Sequence, residues 1–123
     1  MHTIVARALQ WMKGTVISKE KCEWSDMYKL GQTQLCFWAL YRNQGTCSGD
    51  SGGPLICLDG KKAIITGITK HIYASHGTAY CGKKDVGDVF TNVSYFLLWI
   101  QSFMENSTIN LVHIRVIKIP FKL

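Results

Sequence analysis

Short apolar runs rich in β-branched residues, separated by polar or glycine-containing segments, predict a chain made mainly of β-strands. Near the start, Thr3–Ala6 and Thr15–Ser18 are two strand-like pieces, with a helix over Ala6–Met12 as the alternative for the first of them. Leu35–Trp38 is a compact apolar run and predicts a buried strand. The first third of the chain therefore favours β structure.

The middle of the chain predicts a β-hairpin. Pro54–Leu58 and Ala63–Ile68 are apolar runs on either side of Asp59-Gly60, a dipeptide that favours a tight turn. A second polar segment, Lys70 to Asp88, follows and is predicted to be a loop. Val89–Val93 is then another strand, so that β-strands are expected up to residue 93.

The pattern changes after Val93. Phe96, Trp99, Ile100 and Phe103 recur at helical spacing, which predicts an amphipathic helix over Ser94–Glu105 that packs this face on a core. Ser94 is the expected N-cap. The tail from residue 106 to 123 contains an Ile/Val-rich segment, for which an added strand and an alternatively spliced or non-coding end both stay open.

Composition limits the class of protein. The 123 residues are enough for one domain or part of one, and no run approaches the ~20 apolar residues of a membrane span. The net charge of +6 comes from 14 basic and 8 acidic residues that are scattered along the chain rather than clustered. We therefore expect no specific nucleic-acid partner, although a polyanion-binding module remains an alternative that salt-sensitive retention on heparin would reveal.

The five cysteines favour disulfide bonds in an oxidising compartment over a zinc site, because none of them forms a C-x-x-C pair. An odd number leaves one thiol without an internal partner. The first twelve residues make a poor secretory signal because Arg7 and Gln10 interrupt their apolar positions. A chain of secreted character without a signal suggests that an upstream part is missing.

The segment Thr46–Leu55, of sequence TCSGDSGGPL, carries the candidate chemistry. Its glycines permit backbone angles that other residues avoid, so we expect a loop that presents Ser51 as a nucleophile. The segment also matches the G-x-S-x-G nucleophile elbow, which requires a strand before the serine and a helix after it. Pro54 and the hairpin that follows disfavour the elbow.

Residues Cys47–Cys57 resemble the active-site serine motif of the trypsin-like (chymotrypsin-fold) serine proteases. The similarity extends over about residues 9 to 104 and corresponds to the second of that family's two β-barrels. It implies an all-β fold, the second six-stranded β-barrel of the chymotrypsin-like fold plus a C-terminal α-helix. Residues 1–105 would be a partial peptidase domain, and residues 106–123 a tail without a counterpart in the family.

The resemblance implies a role for each residue of the motif. Ser51 would attack the scissile carbonyl, and the N–H groups of Gly49 and Ser51 would form the oxyanion hole. Asp50 would accept the amine released by zymogen cleavage. The family's base histidine and its aspartate belong to the first barrel and have no counterpart here, so the chain alone is expected to be inactive.

Four histidines remain to be considered as a base. His2, His76 and His113 are interpreted as solvated loop or terminal residues. His71 is the one worth testing, because its segment lines the substrate cleft in the family, although it stands where a tryptophan is usual.

The resemblance also implies a substrate pocket that lacks the aspartate of trypsin. Gly45 occupies the floor position, while Asp88 stands on the pocket wall, where a carboxylate could attract a basic side chain or be only a turn residue. The expected pocket residues are Gly45, Thr46, Ser48, Lys70, His71, Ile72 and Asp88. Lysine and isoleucine in the cleft are a departure from the family that puts ordinary substrate binding in question.

By the family pattern Cys22 pairs with Cys36 and Cys47 with Cys81. Cys57 would be unpaired here because its partner lies in the missing part, unless it is simply a buried free thiol. The resemblance implies neither cofactor nor metal. It implies a peptide or protein as substrate or inhibitor, the missing N-terminal barrel as a partner, and an extracellular or secretory location. The alternative function is a secreted binding module, a protease homologue without enzymatic activity.

Overall fold

The computed structural model describes residues 8–22, 30–71, 74–75, 78–79, 81–82 and 87–105. The predicted strand Thr3–Ala6 and the tail 106–123 lie outside these ranges. The strands are β1 (Gly14–Ile17), β2 (Gln34–Ala39), β3 (Pro54–Asp59), β4 (Lys62–His71), β5 (Ala74–Ser75), β6 (Thr78–Ala79) and β7 (Asp88–Asn92). Short 3-10 helices span Lys19–Lys21 and Val93–Phe96, and the helix α1 spans Leu97–Glu105.

Five of these strands form one antiparallel sheet in the order β1-β2-β7-β4-β3, and β5 pairs with β6 separately. The predicted strands at Thr15, Leu35, Pro54, Ala63 and Val89 are all present. The loop predicted over Lys70 to Asp88 is shorter, because β4 continues to His71 and the β5–β6 pair lies within it. No helix covers residues 8–12, which leaves the alternative helix without support in that range.

The sheet is open in the described part of the chain, where a closed six-stranded barrel was expected. Its edge strands β1 and β3 do not pair with each other, and five strands are present rather than six. Closure needs a further strand between these edges, and none of the described residues supplies it. The antiparallel sheet followed by one C-terminal helix is nevertheless the expected fold class.

The β3–β4 hairpin turns at Gly60-Lys61, one residue after the predicted dipeptide. Gly60 has φ +58°, a conformation that glycine adopts without strain at the first position of a two-residue hairpin loop. The pairing places Asp59 opposite Lys62 and shifts register between Leu55 and Ile56.

The core is small and lies on one face of the sheet. Phe37, Leu55 and Phe90 form its centre, with the two phenyl rings edge to face at 5.8 Å. Half-buried residues around them are Met12, Val16, Leu35 and Ala39. Strands β2, β3 and β7 thus meet through these three side chains, each strand contributing one.

Gly67 fits between two of these core side chains. A Cβ at this position would lie 3.0 Å from Phe90 Cβ and 3.2 Å from Leu55 Cβ. We expect Gly67→Ala to lower the free energy of unfolding by about 1–3 kcal/mol, because the extra methyl overpacks the core. Urea unfolding would measure it. Gly31→Ala is the matched control, since its Cβ would meet nothing closer than 3.8 Å. Equal urea midpoints for the two variants would contradict the close packing of Gly67 against Phe90 and Leu55.

The helical segment begins earlier than predicted. Asn92 is the N-cap, and its side-chain oxygen accepts hydrogen bonds from the backbone N–H of Ser94 at 3.2 Å and from the Ser94 hydroxyl at 2.6 Å. Ser94 itself lies within the 3-10 turn, so the prediction of Ser94 as the cap is wrong. The asparagine carbonyl at the end of β7 accepts the N–H of Ser94, one of the N–H groups that the first helical turn leaves without a partner, so the cap lies two residues before the predicted one.

Part of the predicted apolar face of the helix does not reach the core. Trp99 and Phe103 are both 62% exposed and stack edge to face at 5.0 Å, whereas Phe96 and Ile100 are half-buried. The prediction of packing is therefore wrong for Trp99 and Phe103, whose side chains remain mostly exposed beside the described residues. No helix in the described ranges has the length and apolar character to span a bilayer.

Candidate active site

Two turns shape the loop that presents Ser51. The N–H of Asp50 donates to the carbonyl of Cys47 at 3.0 Å, and the N–H of Gly53 donates to the carbonyl of Asp50 at 2.9 Å. Gly49 and Gly52 have φ values of +103° and +84°, which disfavour any residue with a side chain. The result is an exposed Ser51 at the tip of a tightly turned loop.

Two backbone N–H groups of the serine loop have no acceptor among the described residues. Within the described ranges, the N–H groups of Gly49 and Ser51 make no hydrogen bond. A Cβ at Gly49 would meet nothing within 4 Å, so this side of the loop is open. Two free N–H groups flanking a serine hydroxyl are what stabilisation of a developing oxyanion requires.

The hydroxyl of Ser51 has no hydrogen-bond partner among the residues that the structure describes. His71 ends β4, but its side chain lies outside the description, as do His2, His76 and His113. The carboxylate of Asp50 points back into its own loop and accepts the N–H of Cys47 at 2.8 Å. The described site thus contains an exposed serine hydroxyl and two N–H groups without an acceptor, and no described side chain stands beside the hydroxyl as a base.

Thr69 anchors the serine loop to β4 and was not singled out from the sequence. Its N–H donates to Gly53 O at 2.8 Å, its carbonyl accepts from Gly52 N–H at 2.9 Å, and its hydroxyl donates to Gly53 O at 3.0 Å. Thr69 is buried. The sequence holds one signal for this role. Thr69 directly follows the apolar run that ends at Ile68, and a threonine hydroxyl at that place can bond the backbone of a neighbouring loop.

Asp88 is brought against the base of the same loop. It is buried at the start of β7, and its Oδ2 accepts the N–H of Thr46 at 2.7 Å. A Cβ on Gly45 would lie 3.2 Å from this oxygen and 2.7 Å from the backbone nitrogen of Gly82, so glycine is required there. The structure therefore places Gly45, Thr46 and Asp88 together as one cluster.

The remaining expected pocket residues are less closely involved. Ser48 and Lys70 are exposed, and Ile72 lies outside the described residues. The hydroxyl of Thr46 is buried and has no hydrogen-bond partner in the described structure. A buried hydroxyl without a partner, beside a buried carboxylate, can still form a hydrogen bond with a ligand at this cluster.

Burial raises the pKa of the Asp88 carboxyl above its ordinary value, because removal from water disfavours the charged form. The backbone N–H of Thr46, which donates to this carboxylate, acts in the opposite direction, and the charge of Asp50 adds to the rise. Keeping the Asp88 carboxyl ionised therefore lowers the stability of the folded chain.

This rise in pKa makes stability depend on pH. A raised carboxyl pKa contributes stability that is complete below the unfolded pKa of 3.8 and is lost as pH rises through the folded value. We expect Asp88→Asn, which keeps an acceptor for Thr46, to be more stable than the natural chain at neutral pH and to lose that advantage in acid. Urea unfolding across this range measures the difference; an advantage independent of pH would contradict the assignment.

The described residues form two disulfides, and one of them, Cys47–Cys81, begins in the segment that carries Ser51. Cys22 is joined to Cys36 with Cα atoms 6.0 Å apart, and Cys47 to Cys81 with Cα atoms 5.0 Å apart. These are the pairings that the resemblance implied. Cys57 is free and half-buried. Within the ranges described, no three or more His, Cys, Asp or Glu side chains gather as a metal site.

Comparison with known proteins identifies similar chains. The family model called Trypsin matches residues 2–100. Kallikrein-1 of Mus musculus is 36% identical over 99 residues, which are 80% of this chain and 34% of the kallikrein. Kallikrein-9 of Homo sapiens is 30% identical over 98 residues, 80% of this chain and 36% of that protein. CLIP domain-containing serine protease B8 of Anopheles gambiae is 39% identical over 94 residues, 71% of this chain and 21% of that protein.

An antiparallel sheet with a C-terminal helix and a disulfide-linked glycine-serine loop is consistent with part of a trypsin-like protease domain. The match over residues 2–100 makes the membership plain: the chain belongs to the trypsin family of serine proteases. It spans about a third of the length of the kallikreins that it matches.

Proposed function

We propose that this chain is the nucleophile-bearing part of a serine endopeptidase domain, which cleaves peptides through an acyl-enzyme at Ser51. One observation carries the proposal: Ser51 is exposed in a glycine-rich loop, and its own N–H and that of Gly49 make no hydrogen bond to the described residues. Family membership supports the reaction class.

In the proposed reaction Ser51 Oγ attacks the scissile carbonyl while a base accepts its proton. That base is a histidine oriented by an aspartate on an N-terminal barrel, which is a partner of this chain whether covalently joined or separate. The N–H groups of Gly49 and Ser51 stabilise the oxyanion. Asp50, now bonded to the N–H of Cys47, accepts the amine released on zymogen cleavage.

The test is a fusion of this chain to the N-terminal barrel of a kallikrein. We expect the fusion to hydrolyse peptide esters and Ser51→Ala in the same fusion to lose that activity. Retention of the two disulfides in both proteins controls for folding. An inactive fusion that retains both disulfides would contradict the endopeptidase proposal.

Specificity is proposed to come from the Asp88 cluster. Its carboxylate, buried and bonded on one oxygen only by Thr46 among the described residues, favours a substrate with Lys or Arg before the scissile bond. In the active fusion, Asp88→Asn is expected to reduce kcat/KM for an arginyl substrate by at least about 30-fold, because a buried charge pair loses one partner. A tyrosyl substrate is the control; an equal loss on both would contradict this role.

A secreted binding module is the second candidate. The observation in its favour is that the Ser51 hydroxyl lacks a partner among the described side chains. Such a module would bind a peptide or protein inhibitor through the same loops, and the fusion would bind it without cleaving substrates. For either function the two disulfides support an extracellular or secretory-pathway location.

A further inference from the structure

The segment Asn92-Val93-Ser94 is a sequon for N-linked glycosylation that the peptidase chemistry does not use. Such a motif requires an asparagine followed two places later by serine or threonine, with any residue except proline between them. Of the asparagines that the structure describes, Asn92 meets this requirement, whereas Asn43 is followed by Gln44-Gly45. A second sequon, Asn106-Ser107-Thr108, lies outside the described residues. Asn92 is therefore the candidate acceptor whose surroundings are known.

The sequon lies at the surface, where β7 ends and the chain enters the 3-10 turn Val93–Phe96. Ser94 is exposed and Asn92 is half-buried. The hydrogen bonds that the Asn92 side chain makes are themselves at the surface. A bulky, hydrophilic glycan requires such a position.

The side-chain amide of Asn92 keeps one hydrogen free. Its Oδ1 accepts the N–H and the hydroxyl of Ser94, at 3.2 and 2.6 Å, and its Nδ2 donates one hydrogen to the carbonyl of Gln32 at 3.3 Å. The second hydrogen of Nδ2 has no acceptor among the described residues. An N-glycosidic bond replaces one amide hydrogen and leaves the oxygen and the other hydrogen in place. A glycan on Asn92 is therefore compatible with the hydrogen bonds that this side chain makes in the fold.

The acceptor is at the opposite end of β7 from the serine loop. β7 begins at Asp88, whose carboxylate accepts the N–H of Thr46 at the base of that loop, and it ends at Asn92. At ~3.3 Å per residue, the strand separates Asp88 from Asn92 by about 13 Å. A glycan on Asn92 and a substrate at the Asp88 cluster can therefore be present in the same molecule.

We propose that Asn92 carries an N-linked glycan in the folded, secreted protein. The proposal does not rest on peptidase activity. It requires entry into the secretory pathway, which the two disulfides support. In the transfer, Nδ2 of Asn92 forms a bond to the anomeric carbon of a sugar that is linked to a lipid diphosphate. The bond from that carbon to the phosphate oxygen breaks, the lipid diphosphate leaves, and one amide proton is released.

The experiment secretes the 123-residue chain from mammalian cells behind a cleavable signal peptide and maps its modifications by mass spectrometry. Enzymatic removal of an N-linked glycan in heavy-oxygen water converts the glycosylated asparagine to a labelled aspartate. We expect label at residue 92 in chains that retain Cys22–Cys36 and Cys47–Cys81. Asn43, an exposed asparagine outside any sequon, should carry none and controls for spontaneous deamidation.

Three variants distinguish a glycosylated Asn92 from one that serves only as a helix cap. Ser94→Ala keeps the N–H that Asn92 caps, yet it should lower the labelled fraction at least about tenfold, because the motif requires the hydroxyl. Val93→Pro should have the same effect. Its proline suits the first helical position, and Asn92 before it is already extended, with φ −75° and ψ 102°. Ser94→Thr should retain the glycan.

An unmodified Asn92 in secreted chains that retain both disulfides would overturn the proposal and leave this residue as a helix cap alone. Labelling that persists in Ser94→Ala and Val93→Pro would also overturn it, since the modification would not depend on the sequon. So would a glycan confined to chains that lack the two disulfides, because the folded protein would then exclude it. Asn106→Gln accompanies every variant, so that any shift in electrophoretic mobility reports Asn92.

Discussion

Replacing Cys47 and Cys81 together with alanine is expected to lower the free energy of unfolding by about 3–4 kcal/mol and to leave the serine loop without a fixed shape. The bond closes a loop with a sequence separation of 34 residues, and in the chain-entropy model a longer loop gives a larger stabilisation. Among the described residues the centre of the core consists of Phe37, Leu55 and Phe90, and apart from this disulfide the serine loop is held mainly by hydrogen bonds to Thr69 and Asp88. We therefore expect the double variant to be largely unfolded.

Urea unfolding followed by circular dichroism measures this loss. The Cys22–Cys36 bond is the natural comparison, since its sequence separation of 14 predicts a slightly smaller effect, about 3 kcal/mol. The two double variants also affect different parts of the chain. Only the loss of Cys47–Cys81 releases the segment that holds Thr46 against Asp88. An unfolding midpoint unchanged by Cys47→Ala with Cys81→Ala would contradict the role given to this bond.

The chain alone is expected to hydrolyse peptide substrates about a millionfold more slowly than its fusion to an N-terminal barrel. In serine proteases, disabling the catalytic residues lowers kcat by about 10⁶, and the residual ~10³–10⁴-fold acceleration over water comes from the oxyanion hole and binding; these figures were measured on other members of that class of enzyme. Ser51 without a base corresponds to that disabled state.

Initial-rate assays of equal concentrations of the chain and the fusion test this prediction. Ser51→Ala in the isolated chain is the control, because it should change the residual rate little when no base activates the hydroxyl. Turnover by the chain alone within about tenfold of the fusion would contradict the expectation and would direct attention to His71, whose backbone ends β4.

Much of the sheet could be predicted because its strands carry local signals. β-branched and apolar runs marked β1 through β4 and β7, and Gly60 marked the hairpin, since glycine adopts φ +58° without strain. The glycine pattern around Ser51 likewise required a turned loop, and Gly49 and Gly52 adopt the positive φ values that this loop needs.

The features that local sequence patterns leave open depend on contacts between distant segments. Asp88 meets Thr46 across 42 residues, and no local pattern distinguishes a buried carboxylate from a turn residue. Trp99 and Phe103 have the spacing of a packed face, yet periodicity does not show how much of that face the sheet covers. Closure of the barrel likewise depends on a strand that the described residues do not contain.

Labelling with a fluorophosphonate probe tests the central claim most directly, namely that Ser51 is positioned for catalysis but is activated only by residues of a first barrel. We predict brisk labelling of the fusion, mapped to Ser51 by mass spectrometry and abolished by Ser51→Ala, with labelling of the isolated chain no faster than that of its denatured form. Brisk labelling of Ser51 in the isolated, folded chain would contradict the account, as would a folded fusion whose Ser51 remains unlabelled.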